Sequence, residues 1–470
     1  MATKERYDLA VIGSGPGGYP AAVRAAQLGL KTVCIEKSTQ LGGVCLNSGC
    51  IPSKALLDSS ELYHLVKHRM IEHGIQTGDV RLDLPAMMAR KAQIVEGLTR
   101  DVRQLLERNR VDIVHGRAYL EAPDRISVTR KGGGEGPQEK ETISATNILL
   151  ATGSVPVAVP NLAFDGERIV SSTEALNFES VPGRLGIVGG GYVGLELGSV
   201  WQRLGADVTV IEMLDQAAGL LDGQVARTLS RLLKRQGLDI HLKTRVIDAS
   251  VKDGQVDVSL ETKKKSVTMG FDRLLVCVGR RPLVDGMGLS ALGIEKDPAT
   301  GRILVDASYR TNIPNLSAVG DMIPGPMLAH KASAEGVAAV ECMAGLPGEV
   351  NYDTIPSVIY TAPEVASVGL TQETVKARKI PFRAGSFPFT GTGRARCLGD
   401  TDGFVKLIVH GKTDRILGIH IIGPRAADMI AECALAMEFG ASAEDIVRTV
   451  HAHPTFSEAF HEAAKAAVYS

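Results

Sequence analysis

Two places along the chain share one change of rhythm: a short apolar run, a cluster of glycines, then apolar positions recurring every three or four residues. Leu9-Ala10-Val11-Ile12 runs into Gly13-Ser14-Gly15-Pro16-Gly17-Gly18 and a helical stretch from Tyr19 to Leu28. Leu185-Gly186-Ile187-Val188 runs into Gly189-Gly190-Gly191-Tyr192-Val193-Gly194 and a helical stretch through Leu204. Such a pattern predicts a buried strand, a tight turn and a helix packed back on the strand. One offset of 176 residues carries Gly13 to Gly189, Gly15 to Gly191, Gly18 to Gly194, Gly29 to Gly205 and Glu36 to Glu212. The chain therefore contains two copies of a dinucleotide-binding fold.

A single G-x-G-x-x-G is weak, because glycine turns are common. Here each copy follows a strand, opens a helix and is followed, 18 residues after its third glycine, by an acidic residue closing a second strand. The first glycine permits the turn, the second lets backbone approach a pyrophosphate, and the third lets helix and strand pack closely. Helix N-terminal amides then hold the phosphates, and Glu36 and Glu212 are placed to accept from ribose hydroxyls.

Other apolar runs end in polar turns. Asn147–Leu150 leads into Ala151-Thr152-Gly153, and Leu274–Val278 leads into Gly279-Arg280-Arg281-Pro282, both read as chain crossings between the two folds. Leu316–Val319 ends in Gly320-Asp321, which offers Asp321 at the carboxyl end of a strand, the ligand edge of a parallel sheet. From Asn351 the pattern changes to alternating segments, Phe404–Val409 and Ile416–Ile421, followed by helical stretches 425–439 and 457–467. These predict antiparallel strands of a separate domain. Residues 131–141 read as a hairpin loop.

Composition narrows the function classes. The 470 residues carry 52 Lys+Arg against 53 Asp+Glu, so no global field favours nucleic acid or an anionic membrane. The uncharged stretch Ile148–Phe164 is broken by Thr152, Ser154, Asn161 and two prolines, so no membrane association is expected. The apolar segment Leu9–Ile12 is too short for a signal-peptide core, and a cytoplasmic protein is expected. Of seven cysteines, Cys34, Cys277 and Cys433 lie among apolar neighbours and read as inert core thiols.

Cys45 and Cys50 differ: they sit five apart in Gly42-Gly43-Val44-Cys45-Leu46-Asn47-Ser48-Gly49-Cys50-Ile51-Pro52-Ser53-Lys54. Near a helix start, amides lower a thiolate pKa, and Lys54 falls on the face of Cys50 if the helix has begun there. A reducible pair beside a dinucleotide fold points to redox transfer. Zinc needs further ligands, and the most closely spaced histidines are His451 and His453, so no metal is expected.

Together these motifs, with Gly189 to Glu196 and His453-Pro454-Thr455-Phe456-Ser457-Glu458, resemble the FAD-dependent pyridine nucleotide disulfide oxidoreductases over the whole chain. The resemblance implies an α/β protein with two Rossmann-like dinucleotide-binding domains, one for FAD and one for NAD, a central domain and a C-terminal α+β dimerisation domain. The corresponding spans are 1–150 with the redox disulfide, 151–282, 283–350 and 351–470. It implies FAD contacts from Gly13, Gly15, Gly18, Glu36, Lys54, Thr152, Gly153 and Asp321, and NAD contacts from Gly189, Gly191, Gly194, Glu196, Glu212 and Gly279. Lys54 and Glu196 would pair beside the flavin. Cys45, Cys50, His453 and Glu458 would be catalytic, with a cis peptide before Pro454, and the protein would be a homodimer.

Within the family, NADPH-dependent members place arginines after the second strand of the second fold, whereas Met213, Leu214 and Asp215 follow Glu212 and no arginine occurs before Arg227. A second cysteine pair near the C-terminus, expected of mercuric reductases, is missing, since the last cysteine is Cys433. The box Ile51-Pro52-Ser53-Lys54-Ala55-Leu56-Leu57 points to the branch that oxidises dihydrolipoyl groups with NAD+, its partner being a lipoyl-carrying E2 or H-protein type carrier. Tyr192 departs from the small or aliphatic residue expected there. Alternatives are another NAD(P)H-dependent disulfide or mercuric reductase and a non-catalytic flavoprotein subunit.

Overall fold

The computed structural model describes residues 6–130, 140–263 and 265–469. They form two compact units, each assembled from separated stretches of chain. The first takes the residues up to Pro52, Ala89–Val157 and Gly279–Val350. The second takes Ser53–Met88, Ala158–Val278 and the chain from Asn351.

In the first unit a parallel layer runs Asp112–His115, Thr32–Glu36, Tyr7–Ile12, Lys140–Leu150 and Leu316–Ala318. Leu9, Ala10, Val11, Val33, Cys34 and Leu149 are wholly buried, as expected of strands covered on both faces. The helix Tyr19–Gln27 turns Ala21, Ala22 and Ala25 into the same core. The strand Lys140–Leu150 changes partner midway: Ala145–Leu150 pairs in parallel with Tyr7–Ile12, while Lys140–Ser144 pairs antiparallel with Arg125–Thr129. Lys140 and Glu141, expected in a loop, therefore begin this strand, because antiparallel pairing satisfies their backbone; 131–139 lie outside the described residues.

The second unit repeats the motif with five parallel strands in the order Asp239–His241, Asp207–Ile211, Arg184–Val188, Arg273–Val276 and Ile169–Val170. The helix Tyr192–Arg203 buries Trp201, whose indole N–H donates to the Ala175 carbonyl. Trp201 is core, as its apolar setting in the sequence predicts. The later part of this unit carries an antiparallel sheet ordered Ser357–Ile359, Glu364–Gly369, Ile416–Gly423, Phe404–His410 and Phe382–Pro388. Helices Ala426–Glu438 and Glu458–Val468 pack on it through Cys433, Phe460 and Ala464. This is the mixed α/β class the patterns predict. Among the described residues no helix is long and apolar enough to cross a membrane.

Candidate active site

The two glycine turns match atom for atom. Gly13 has φ +104° and Gly189 φ +110°, and a Cβ on either would meet the carbonyl oxygen of the residue just after the neighbouring strand, Ala151 at 2.5 Å or Cys277 at 2.7 Å. A Cβ on the third glycine would strike the first glycine's carbonyl, at 1.8 Å for Gly18 and 2.2 Å for Gly194. The middle glycines are open: around a Cβ on Gly15 the nearest atom is Gly43 Cα at 3.8 Å, and around one on Gly191 nothing lies within 4 Å. Space is thus kept clear only where backbone must meet a pyrophosphate, and both turns fit a dinucleotide.

The acidic residues extend the correspondence. Ser14 N–H donates to Glu36 Oε2 at 2.9 Å and Gly190 N–H to Glu212 Oε2 at 2.7 Å, while Ser38 N–H and Leu214 N–H donate to the respective Oε1 atoms. One difference matters. Ser14 Oγ also donates to Glu36 Oε2, at 2.7 Å, so a carboxylate with about four acceptor positions keeps one beyond these bonds at Glu36 and two at Glu212. Glu212 can accept from both hydroxyls of a vicinal diol.

Cys45 lies in the short helix Gly43–Ser48, and the helix Cys50–His68 begins at Cys50 itself. The helix has begun where the Lys54 argument requires, and Lys54 stands one turn along it. Burial pushes the pKa of Tyr19, at the start of the first turn's helix, upward, and the charge of Cys45 adds to the shift. Of the three thiols expected to be inert, Cys34 and Cys277 are pushed up to about 12 by desolvation and a nearby glutamate, and burial holds Cys433 well above the ordinary thiol value.

In the second unit, Lys54 Nζ pairs with Glu196 Oε2 at 2.7 Å, with Glu196 almost wholly buried. Tyr360 completes this pair from two directions. Its N–H donates to Glu196 Oε1 at 2.9 Å, and its ring lies 4.6 Å from Lys54 Nζ.

In the first unit, Ser154 Oγ donates to Asp321 at 2.5 Å and accepts from Arg280 Nε at 2.7 Å. Thr152 Oγ1 donates to the Leu283 carbonyl at 2.7 Å. Gly153 and Gly279, with φ +73° and +146°, leave open space where a Cβ would stand. Within the second unit, His453 Nδ1 is 2.8 Å from Glu458 Oε1, and Thr455 N–H donates to Glu458 Oε2. Nδ1–H donation to the carboxylate leaves Nε2 as a proton acceptor. The His453 side chain is 77% exposed, and the His453–Pro454 peptide is cis. The hydrogen bond from His453, then that from Thr455, holds Glu458 below the usual carboxylate range. His451 is a supporting residue here, with Nε2 3.0 Å from Glu432 and the ring stacked on His461.

Residues 7–336 match the family model for pyridine nucleotide-disulphide oxidoreductases, and residues 355–464 match that family's dimerisation domain. The chain belongs to the pyridine nucleotide-disulphide oxidoreductases. It is 49% identical over 467 residues to mitochondrial dihydrolipoyl dehydrogenase of Sus scrofa, covering 98% of this chain and 91% of that one. It is 48% identical over 463 residues to the mitochondrial dihydrolipoyl dehydrogenase of Schizosaccharomyces pombe, covering 98% and 90%. Among solved structures it resembles LpdA from Mycobacterium tuberculosis, with TM-score 0.88, 26% identity and coverage of 97% and 99%. The HOCl-induced flavoprotein disulfide reductase RclA from Escherichia coli gives TM-score 0.84 at 26% identity, covering 98% and 99%.

In this oxidoreductase the expected site residues divide between the units. Gly13, Gly15, Gly18, Glu36, Cys45, Cys50, Thr152, Gly153, Gly279 and Asp321 belong to the first, and Lys54, Gly189, Gly191, Gly194, Glu196, Glu212, His453 and Glu458 to the second. Sequence reasoning missed Tyr360, because its partners lie 164 and 306 positions away in the chain. It also missed Lys243, a cation whose Nζ lies 4.0 Å from Asp215, where a scan for arginines before Arg227 finds none. No cluster that could hold a metal ion occurs among the described residues.

Proposed function

We infer that the protein oxidises dihydrolipoyl groups to lipoyl groups and reduces NAD+ to NADH, as a dihydrolipoyl dehydrogenase using FAD. The carrying observation is similarity over 98% of the chain to proteins of that name, with Cys45, Cys50, His453 and Glu458 all in place. FAD, when bound, would supply the two-electron carrier between a dithiol and NAD+. The first glycine turn, Glu36, Thr152, Gly153, Asp321 and the Lys54–Glu196 pair would hold FAD. The second turn, Glu196, Glu212 and Gly279 would hold NAD.

The chain's own part is thiol chemistry. Nε2 of His453 takes the proton from one dihydrolipoyl thiol, and Glu458 holds the resulting imidazolium. The substrate thiolate attacks Cys45 Sγ of the Cys45–Cys50 disulfide, forming a mixed disulfide and releasing Cys50 as thiolate. The second substrate thiol displaces Cys45 and closes the lipoyl disulfide, leaving the two cysteines reduced. Steady-state assays test the reading: turnover is expected with dihydrolipoamide and NAD+. Preferred turnover of oxidised glutathione or mercuric ion with NADPH would overturn it.

The nicotinamide partner follows from Glu212. Its two remaining acceptor positions suit ribose hydroxyls, and its charge opposes a 2′-phosphate, while the nearby Lys243 faces Asp215. NAD+ is expected to exceed NADP+ in kcat/KM by about 100-fold or more, two lost or repelled contacts at ~1.4 kcal/mol per tenfold. Glu212→Ala should narrow that gap. Equal constants in the wild type would remove this role.

The dimerisation domain makes the working unit a homodimer. Leu435, Phe439 and Val450 of that segment stand 59%, 83% and 95% exposed in the single chain, which suits burial against a second copy. In our reading each active site is shared, with Cys45 and Cys50 from one chain facing His453 of the partner subunit. Heterodimers of Cys50→Ser and His453→Ala should then recover about half the wild-type activity, because one of two symmetric sites is intact. Heterodimers no more active than the parent variants would reject sharing. The lipoyl group would arrive on an E2 or H-protein type carrier. Cytoplasmic residence remains our reading of the sequence, in which seven cysteines among 470 residues are sparse.

A further inference from the structure

The most unusual electrostatic feature lies outside the thiol and nucleotide machinery. Lys331 and Glu335, one turn apart on the helix Ala329–Met343, form an ion pair at 3.0 Å with both side chains wholly buried. Burying two charges is costly unless every donor and acceptor is used. Here the pair is spent on one short turn: Lys331 Nζ donates to the Gly320 carbonyl at 3.0 Å and the Pro324 carbonyl at 3.3 Å, and Glu335 Oε2 accepts from Gly320 N–H at 2.8 Å. Both backbone groups of Gly320 are thus held, at φ +75°, where side-chain-bearing residues are strained. The next residue is Asp321.

We propose that the Lys331–Glu335 pair is the positioning device for Asp321, fixing the carboxylate that holds the flavin dinucleotide, so that cofactor retention depends on a buried ion pair. The inference rests on the reading that Asp321 binds FAD. Its logic is that an apolar pair would pack as well but could not grip both the N–H and the carbonyl of Gly320. Ser154, held by Arg280, fixes the carboxylate from the other side. The charge of Asp321 also acts on Lys331, opposing the lowering of its pKa by burial, in the same direction as the larger effect of Glu335.

A double-mutant cycle on the holoenzyme tests this, with equilibrium FAD release read by flavin fluorescence on dilution. Asp321→Asn and Lys331→Met are each expected to weaken FAD retention about tenfold, and the double variant to be within about twofold of the weaker single, because Lys331 acts through Asp321. A merely structural Lys331 would lower the melting temperature but multiply the two losses to about 100-fold. That product, or unchanged retention in Lys331→Met, would overturn the proposal. Unchanged retention in Asp321→Asn would instead overturn the assignment of Asp321 to FAD. If Lys331→Met does not accumulate as holoenzyme, Lys331→Met/Glu335→Gln, which leaves no unpaired buried charge, replaces it in the cycle with the same expected outcomes.

Discussion

Cys45→Ser and Cys50→Ser should each fall at least about 10⁴-fold in dihydrolipoamide turnover while keeping bound FAD, because neither serine can form the disulfide that accepts the substrate's electrons. The two variants should differ in spectrum. With Cys50 as the flavin-side thiol, Cys45→Ser retains a thiolate at the start of the helix Cys50–His68, where the helix dipole favours negative charge. It should show a thiolate-to-flavin charge-transfer absorbance, and Cys50→Ser should not. The same band in Cys50→Ser instead would reverse the roles of the two thiols. Full activity in either variant would remove the disulfide from the mechanism.

His453→Ala should reduce kcat/KM for dihydrolipoamide by about 10² to 10⁴, the usual contribution of a positioned base. Glu458→Gln should lose less, since the amide can still accept from Nδ1–H but cannot balance an imidazolium. The Glu458 shift carries a sign that can be checked. Its folded-state pKa is depressed by His453 and Thr455, so its stabilising contribution is present above the unfolded carboxylate pKa and is lost as pH falls through the folded value. The turn 453–458 should therefore loosen on acidification before the buried sheets do, seen as a fall in the protection factor of the Thr455 amide, its exchange rate taken relative to the intrinsic rate at each pH. An acid-insensitive Thr455 amide would show that the Glu458 contact does not hold this turn.

Some of this protein was legible in the chain before any coordinates. The repeat at 176 residues is local chemistry written twice, because a strand-turn-helix needs its glycines at set positions whatever surrounds it. The starts of the helices at Tyr19 and Tyr192 and the acidic ends of Thr32–Glu36 and Asp207–Ile211 follow from short-range sterics and periodicity. The Cys45–Lys54 box and the His453–Glu458 motif were readable for the same reason, each lying within ten residues. Tertiary structure decided what depends on partners far apart in sequence. The strand Lys140–Leu150 exchanges parallel for antiparallel neighbours midway, which a uniform run of residues does not announce. Tyr360 joins Lys54 to Glu196 across 306 and 164 positions, and Lys243 reaches Asp215 only because a strand returns beside Asp207–Ile211. The Lys331–Glu335 pair has a helical spacing common on surface helices. Only its complete burial beneath Gly320 turns that ordinary spacing into an electrostatic clamp, because charge is worth most where water cannot reach it.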